Sequence, residues 1–374
     1  MFYFVPTSYT PNTAATNRCD SYIRGFSEQG LKTTVVYFSP NEQKSKPIEY
    51  SGIKYLYFWE KLYSPKKPFN YFSLLYYIIR FLMMLRSGDT VLLYSEAWVW
   101  YQILRFKKGV NVYVEHTENP EVVGIGGKFL TPSWKQYYKG LCKVSGMFVI
   151  TRALKEHFVK KGVASDKIHI ANITVDPHRF ENVEKTQTKE KYIAYCGTAS
   201  NNKDGVDQLI KSFSIVEKAV PNIKLYIIGI IPKNDEAGNL ALIKTLGLEN
   251  KIVLTGEVQA AEMPQLLKNA EALVLDRPNN TQAKYGFATK MGEYLLTKNP
   301  VIVTEVGDFN LFLAHKESVV FAKPDNIDDF AEKVIWTLKN EESATIIGEE
   351  GYNVAMKHFT YESVIKNIIK QMNL

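Results

Sequence analysis

The sequence predicts an α/β protein with two doubly wound, Rossmann-like domains, each containing a parallel sheet covered by helices. Its 374 residues exceed what one hydrophobic core usually organises, so two domains are expected. Short apolar runs alternate with longer amphipathic segments, and this alternation is typical of parallel sheets. The alternation pauses once, at the polar residues 176–191, and then resumes. We therefore predict a linker there and a second domain of similar architecture after it.

The first half contains seven predicted strands and four predicted helices. The strands are expected at residues 2–5, 33–38, 53–58, 90–94, 111–115, 146–150 and 167–171. The helices are expected at residues 16–29, 71–85, 134–143 and 152–161. This pattern predicts an N-terminal Rossmann-like domain over residues 1–180.

The second half repeats the alternation with a new set of elements. Strands are expected at residues 192–196, 224–229, 251–254, 272–275, 301–304 and 319–321. Helices are expected at residues 203–218, 236–246, 262–269, 327–339, 342–357 and 362–372, and one more follows the turn at residues 286–289. We predict a second Rossmann-like domain over residues 181–355. Residues 356–374 are expected to form a C-terminal helix that packs back on the first domain.

Composition limits the class of protein and its partners. The chain is 45% hydrophobic and 23% charged, as globular proteins are, and carries a net charge of +7. Its basic residues are scattered and form no runs, which argues against a nucleic-acid partner. The three cysteines, Cys19, Cys142 and Cys196, are far apart, have no metal-ligand spacing and fit a reducing compartment. With no signal-peptide pattern and no apolar run of about 18 residues, we expect a cytoplasmic protein.

The turn at residues 286–293 is the strongest candidate binding element. A loop of small residues, Gly286 to Thr289, precedes a helix, so its backbone N–H groups and the helix dipole favour an anion such as phosphate. Glu293 follows one helical turn later and suits the hydroxyl groups of a ribose. The alternative for Glu293 is an ordinary surface glutamate. The pattern indicates a nucleotide site.

Other loops at strand ends supply further candidates. Gly197 permits a sharp turn, and Lys203 can pair with a diphosphate or be a solvated lysine at a helix start. His116 ends a strand of the first half, either as a ligand-binding residue or as a satisfied polar side chain. If the two sheets face each other, these loops meet in a cleft, because parallel sheets bind ligands at their carboxyl ends.

Two absences define the expected chemistry. No Asp-x-Asp pair follows a strand, so no metal is expected on the phosphates. The chain also lacks the phosphate-loop lysine motif and the Gly-x-Gly-x-x-Gly fingerprint, so no dinucleotide cofactor is expected. Backbone N–H groups with Lys or Arg are left to stabilise a diphosphate.

Several of these segments together resemble glycosyltransferase family 4, which comprises retaining enzymes of the two-domain GT-B fold, including bacterial polysaccharide-biosynthesis enzymes. The resemblance rests on four segments: Tyr192 to Gly197 followed by Lys203-Asp204-Gly205-Val206, Leu254 to Val258, Tyr285 to Glu293, and Asn299-Pro300-Val301-Ile302. It implies a nucleotide-diphosphate sugar as donor, a glycan or lipid-linked acceptor, and neither metal nor cofactor. It also implies that residues 1–180 form the acceptor-side domain and residues 181–355 the nucleotide-sugar-binding domain.

The resemblance also implies roles for individual residues. Glu293 would bind the ribose, and His116 would touch the donor sugar. Lys203 and the N–H groups of Ala288 to Lys290 would hold the diphosphate. The donor site would comprise Gly197, Thr198, Lys203, Arg277, Tyr285, Gly286, Phe287, Ala288, Thr289, Lys290 and Glu293, with His116, Lys203 and Glu293 as the catalytic set. The acceptor-side loop would comprise Asn12, Thr13, Ala14 and Ala15.

The chain departs from the family pattern at three places. Tyr285 replaces the first glutamate of the pair, which usually holds sugar hydroxyls. Thr198 replaces the arginine expected after Gly197, and we hypothesise that Arg277, Lys284 or Lys290 supplies the missing charge. The N-terminal loop reads Asn12-Thr13-Ala14-Ala15, where the family has a Gly-Gly pair.

The helix predicted at residues 71–85 has two interpretations. With Lys66, Lys67, Arg80 and Arg86 nearby, it is a candidate interfacial helix that makes a peripheral contact with the inner face of a membrane. A buried core helix is the alternative, because short apolar runs are usually buried.

Two rival functions stay open beside the glycosyltransferase. A nucleotide-sugar epimerase would need dedicated acid and base carboxylates, for which Glu96 and Glu118 are weak candidates. A non-catalytic nucleotide-sugar-binding subunit would fit the loss of the first glutamate and of the arginine.

Overall fold

The computed structural model describes residues 1–11, 13–38, 46–60, 69–94, 97–124 and 132–374. These residues divide into two compact units. The first unit comprises Met1–Thr174 and Tyr361–Leu374, and the second comprises Val175–Thr360. The boundaries predicted from the sequence follow residues 180 and 355. Segment 176–191, which was expected to be a linker, is part of the second unit. Within that unit Lys185 forms an ion pair with Glu271 at 3.1 Å.

The first unit is a parallel sheet with helical connections. Its strands are β1 (Phe2–Val5), β2 (Thr33–Tyr37), β3 (Ile53–Tyr57), β4 (Thr90–Tyr94), β5 (Asn111–His116), β6 (Gly146–Val149) and β7 (Ile168–Ile170). Its helices are α1 (Ala14–Glu28), α2 (Phe69–Met84), α3 (Ala97–Phe106), α4 (Pro120–Val123), α5 (Trp134–Leu141) and α6 (Arg152–Lys160). Every strand pairing is parallel, in the order β3-β2-β1-β4-β5-β6-β7.

The second unit repeats this architecture. Its strands are β8 (Lys191–Cys196), β9 (Ile223–Ile228), β10 (Ile252–Gly256), β11 (Ala272–Leu275), β12 (Val301–Thr304) and β13 (Val320–Ala322). Its helices are α7 (Asn201–Asp204), α8 (Val206–Ala219), α9 (Lys233–Thr245), α10 (Met263–Asn269), α11 (Thr281–Tyr285), α12 (Lys290–Leu296), α13 (Ile327–Lys339) and α14 (Glu341–His358). The order is β10-β9-β8-β11-β12-β13, so the doubly wound α/β prediction is confirmed in each unit.

The C-terminal helix α15 (Tyr361–Gln371) belongs to the first unit. It packs on α1 so closely that a Cβ added to Gly25 would lie 2.7 Å from the side chain of Ile365. Both helices cover an aromatic core around Phe4 and Phe26, whose ring centroids are 5.6 Å apart. The absence of a side chain at Gly25 therefore lets the chain terminus complete this core.

Three local features differ from the sequence prediction. Helix α1 begins two residues earlier, because the Thr13 hydroxyl accepts a hydrogen bond from the Thr16 N–H and caps it. Helices α3, α4 and α11 had no predicted counterpart. The helix expected at residues 203–218 is interrupted at Gly205, whose φ of +65° ends α7 and begins α8.

Candidate active site

The candidate site lies where the strand order of the second sheet reverses. Strands β8 and β11 are neighbours there, with Ala272 opposite Ile193 and Leu273 opposite Ala194. The chain leaves β8 at Gly197 and β11 at Asp276, so both loops begin at the same edge of the sheet. Open α/β sheets bind ligands at such a reversal. All the groups that form the site described here belong to the second unit.

Gly197 brings the backbone close to a lysine. Its φ is +132°, which side chains disfavour, and an added Cβ would lie 2.8 Å from Lys290 Nζ. The Lys290 ammonium also lies 4.3 Å from the centre of the Tyr195 ring and 2.9 Å from its hydroxyl oxygen. Gly197 therefore leaves room for a cation directly behind the loop.

A carboxylate, Asp204, organises the cations of the site. Lys290 Nζ lies 2.5 Å from Asp204 Oδ2, and Arg277 Nε lies 3.7 Å from Asp204 Oδ1. The Tyr195 hydroxyl donates to Asp204 Oδ2 at 2.7 Å. Asp204 and Arg277 are buried, whereas the Lys290 side chain is 13% exposed. Two cations against one carboxylate leave an excess positive charge at the sheet edge, which suits an anion.

The charge of the cluster follows from its surroundings. Burial raises the pKa of Asp204, but Lys290, Tyr195 and Arg277 more than offset this, so that the pKa lies below its usual range. Burial lowers the pKa of Arg277, and Asp204 opposes that effect. Asp204 is thus ionised at neutral pH and holds both cations in place. We call Asp204, Arg277, Lys290 and Tyr195 the Asp204 cluster.

Lys203 and Thr198 contribute through their backbone. The Lys203 side chain is exposed, whereas its carbonyl accepts from Arg277 Nε at 3.4 Å. The carbonyl oxygen of the exposed Thr198 lies 2.8 Å from the Tyr195 hydroxyl oxygen and is an alternative acceptor for its proton. The two carbonyls thus tie the loop after β8 to the Asp204 cluster.

Residues 285–289 connect α11 to α12. Tyr285 ends α11, and the ammonium of the exposed Lys284 lies 5.8 Å from the centre of its ring. Phe287 is buried against Phe309, with ring centroids 4.9 Å apart, and Ala288 is also buried. The buried Phe287 anchors this turn in the core, whereas Gly286 and Thr289 remain accessible to solvent.

Glu293 carries an ion pair that the sequence did not reveal. Arg179 Nη1 donates to Glu293 Oε1, while Arg179 Nη2 donates to the Ala260 carbonyl at 3.2 Å. The Tyr294 hydroxyl accepts from the Cys196 N–H at 2.6 Å and fixes α12 against the end of β8. Burial raises the pKa of the Cys196 thiol to about 12, and the Glu293 carboxylate adds to this, so Glu293 lies near that strand end.

His116 lies in the first unit and is buried, with 4% of its surface exposed. Its Nε2 and the Tyr137 hydroxyl are hydrogen-bonded at 3.2 Å, and its ring packs 5.0 Å from that of Phe158. Burial lowers the pKa of His116 to about 3, and His157 adds to this effect, so the imidazole is neutral. These contacts favour the interpretation of His116 as a polar side chain satisfied by hydrogen bonds within the protein over its interpretation as a ligand-binding residue. Its contact with a donor sugar stays a prediction.

The acceptor-side loop also belongs to the first unit. Thr13 and Ala14 are exposed and Ala15 is half-buried, whereas Asn12 lies outside the described residues, as do Lys66, Lys67 and Glu96. The Thr13 hydroxyl caps α1 and donates to the Thr10 carbonyl at 3.1 Å. The loop is therefore held by local hydrogen bonds.

Sequence reasoning did not identify Asp204, Tyr195 or Arg179. An acidic residue directly before the glycine that starts a helix was a usable signal for Asp204. Arg179 was assigned to the polar linker, where a single arginine carries no distinguishing pattern. Of the three residues hypothesised to replace the missing arginine, Arg277 and Lys290 belong to the Asp204 cluster, whereas Lys284 lies beside Tyr285 outside it.

Comparison with known proteins gives a family match for the second unit. Residues 178–354 match the family described as "Glycosyl transferases group 1". The chain is 24% identical over 224 residues to mannosylfructose-phosphate synthase of Agrobacterium fabrum, a match covering 56% of this chain and 48% of that protein. It is 23% identical over 269 residues to poly(ribitol-phosphate) alpha-N-acetylglucosaminyltransferase of Staphylococcus aureus, covering 71% and 50%. The chain thus spans about half the length of these relatives.

Solved structures extend the likeness to the whole fold. The Anabaena protein HepE, crystallised in complex with UDP, superposes with a TM-score of 0.74 at 14% identity, over 100% of this chain and 99% of HepE. HepE has also been crystallised with UDP-glucose. At this level of identity the likeness concerns the fold, which is that of the GT-B glycosyltransferases.

Proposed function

We propose that the chain is a retaining glycosyltransferase, because residues 178–354 match the family described as "Glycosyl transferases group 1". It moves a sugar, in our proposal a hexose, from a nucleotide-diphosphate donor to a hydroxyl of a glycan or lipid-linked acceptor in cell-surface polysaccharide synthesis. The observation that carries this proposal is the Asp204 cluster, whose excess positive charge lies beside Gly197 where the strand order reverses. UDP is the first nucleotide to test, since HepE was crystallised with it.

The diphosphate is the part of the donor that the cluster suits best. Lys290, whose side chain is 13% exposed, supplies an ammonium beside Gly197, and Arg277 supplies a buried guanidinium on the other oxygen of Asp204. Both are held by Asp204 before any ligand arrives, so little reorganisation is needed when charge develops on the leaving group. We propose that these cations replace the arginine absent at Thr198 and that the transfer needs no metal.

Glu293 is proposed to hold the ribose, with Arg179 as the residue that orients it. Arg179 bonds to one carboxylate oxygen, Oε1, and a carboxylate has further acceptor sites on Oε2. Two ribose hydroxyls can donate to those sites. The fixing of α12 by Tyr294 keeps Glu293 near the end of β8.

The transfer then requires no protein nucleophile. The bond between the anomeric carbon and the diphosphate oxygen breaks, and the acceptor oxygen bonds to that carbon on the same face of the sugar. The acceptor's proton passes to the leaving diphosphate, whose charge Lys290 and Arg277 stabilise. Tyr285, on the turn before α12, is the residue we expect to affect the choice of sugar.

A non-catalytic nucleotide-sugar-binding subunit is the second candidate, favoured by Tyr285 in the place of a carboxylate. The two candidates differ in one measurable property. A transferase hydrolyses its donor slowly when no acceptor is present, whereas a binding subunit leaves the donor intact. Incubation with UDP-glucose, followed by measurement of released UDP, distinguishes them.

The site assignment is tested by replacing Glu293 with alanine. Loss of a carboxylate that accepts ribose hydroxyls should weaken UDP binding by about tenfold or more, because hydrogen bonds to charged groups contribute about 1.5–3 kcal/mol. Calorimetric titration measures the affinity, and Glu249→Ala, at an exposed glutamate of the same unit, is the matched control. Unchanged affinity in Glu293→Ala would contradict the assignment.

A further inference from the structure

Helix α2 exposes an apolar stripe. Phe72, Tyr76, Ile79 and Met83 are 66%, 40%, 48% and 74% exposed. Their spacings of four, three and four residues place all of them on one face of the helix. Such a concentration of large exposed apolar side chains usually marks a surface that binds something.

The opposite face of α2 accounts for the folding of the helix. Tyr77, Ile78, Phe81 and Leu85 are buried, and Phe81 packs against Tyr3 with ring centroids 5.6 Å apart. The packing of α2 against the first unit therefore does not require the exposed stripe. The buried face fits the interpretation of α2 as a core helix, and the exposed stripe fits its interpretation as an interfacial helix.

Cations accompany the stripe. Arg80 lies 5.9 Å from the centre of the Tyr76 ring, and Arg86 is exposed just beyond the end of α2. The Lys107 ammonium donates to the Leu85 carbonyl at 3.0 Å, which brings the end of α3 beside the end of α2. Arg105, Phe106 and Lys108 are exposed at that end of α3. Basic and apolar side chains thus share one end of this helix pair.

Acidic groups are scarce in the same region. Among the described residues of 69–110, Asp89 is the acidic one, against five basic residues, Arg80, Arg86, Arg105, Lys107 and Lys108. Asp89 is buried and already bound, since its carboxylate accepts from the N-terminal ammonium and from the Arg86 N–H, each at 2.8 Å. The exposed charges among the described residues of 69–110 are therefore positive.

We propose that the stripe of α2 and the neighbouring basic residues dock the protein on an anionic lipid surface. Apolar and aromatic side chains on one face with basic ones beside them are the combination found in helices that lie in the membrane interface. Among the described residues, no helix is long and apolar enough to cross a bilayer, so this contact is peripheral. The proposal is independent of the nucleotide site, because α2 belongs to the first unit.

Vesicle flotation with the full chain tests the proposal. The wild-type protein should float with vesicles of phosphatidylcholine and phosphatidylglycerol, much less with phosphatidylcholine alone, and less as salt is added. The double variant Ile79→Ser/Met83→Ser should bind the anionic vesicles at least about tenfold more weakly, because two apolar side chains no longer enter the interface. Ile346→Ser, at a 59% exposed isoleucine of α14, is the matched control and should float like the wild type.

Three outcomes would overturn the proposal. The first is a wild-type protein that does not float, and the second is equal flotation of wild type and double variant. In the third, the wild-type protein does not float but dimerises with increasing concentration in light scattering, and the double variant does not dimerise. The stripe would then bind a second copy of the chain. Unchanged thermal unfolding midpoints establish that the variants are folded, without reference to nucleotide binding.

Discussion

Replacing Lys290 with methionine is expected to remove most of the affinity for UDP while leaving the shape of the side chain nearly unchanged. Lys290 is the less buried cation of the Asp204 cluster, since its side chain is 13% exposed whereas that of Arg277 is 3% exposed. A hydrogen bond between charged groups contributes about 1.5–3 kcal/mol. The dissociation constant for UDP should therefore rise by about 10- to 150-fold.

The same substitution has a cost in folding that must be separated from binding. It leaves Asp204 buried with Arg277 at 3.7 Å as the remaining cation. Removing one partner of a buried ion pair costs about 3–5 kcal/mol, and the retained Arg277 favours the lower end. Adding Asp204→Asn would leave Arg277 buried without a carboxylate, so the double variant Lys290→Met/Asp204→Asn should be less stable than Lys290→Met alone. Urea unfolding measures that stability, and calorimetric titration measures UDP affinity.

The control is Lys284→Ala, because Lys284 is exposed and lies beside Tyr285 outside the cluster. It should change neither stability nor UDP affinity by more than about 0.5 kcal/mol. The reasoning is refuted if the folded Lys290→Met protein binds UDP as tightly as the wild type. In that case the Asp204 cluster would be a structural ion network and the diphosphate site would lie elsewhere.

Two further predictions concern the stability of the second unit. Burial raises the pKa of Asp276 from 3.8 to about 8, so the folded protein holds a proton that the unfolded chain releases, and stability falls as pH rises between these values. Asp276→Asn should therefore gain stability relative to wild type by about 1 kcal/mol per pH unit over that range in urea unfolding, and a difference independent of pH would contradict this. Gly205→Ala should cost about 2–5 kcal/mol, because φ is +65° and the new Cβ would lie 2.0 Å from the Asp276 carbonyl oxygen. Gly247→Ala, with φ of +68° and open space, is its control and should cost about 1–2 kcal/mol; equal losses would exclude the close contact as the cause.

Strands were the easiest elements to predict. Buried parallel strands are short, continuous apolar runs, and β1, β4 and β11 have the predicted bounds. Helix α3 was missed because its sequence, AWVWYQILRF, is rich in aromatic and β-branched residues and carries no cap signal. The segment is helical because tertiary packing outweighs its weak helix propensity, since a helix buries Trp100 and Ile103 fully.

The candidate site was predictable in part. Gly197 stood out because a glycine directly after a strand allows a sharp turn, and its φ of +132° agrees. For the missing arginine the sequence offered three replacements with no way to choose among them. The choice depended on Asp204, which is 86 positions from Lys290 in the chain and 2.5 Å away in space. Arg179 and Glu293, 114 positions apart, form a second pair of this kind.

The sequence by itself determined the alternation of strands and helices, the two-unit organisation and the turns at which a ligand site was to be sought. Periodicity and turn chemistry are local, so they can be read from neighbouring residues. Tertiary structure decided which charges meet at those turns, that His116 is buried and neutral, and which face of α2 is exposed. Those properties depend on residues far apart in the chain, because burial and ion pairing arise only when distant elements pack together.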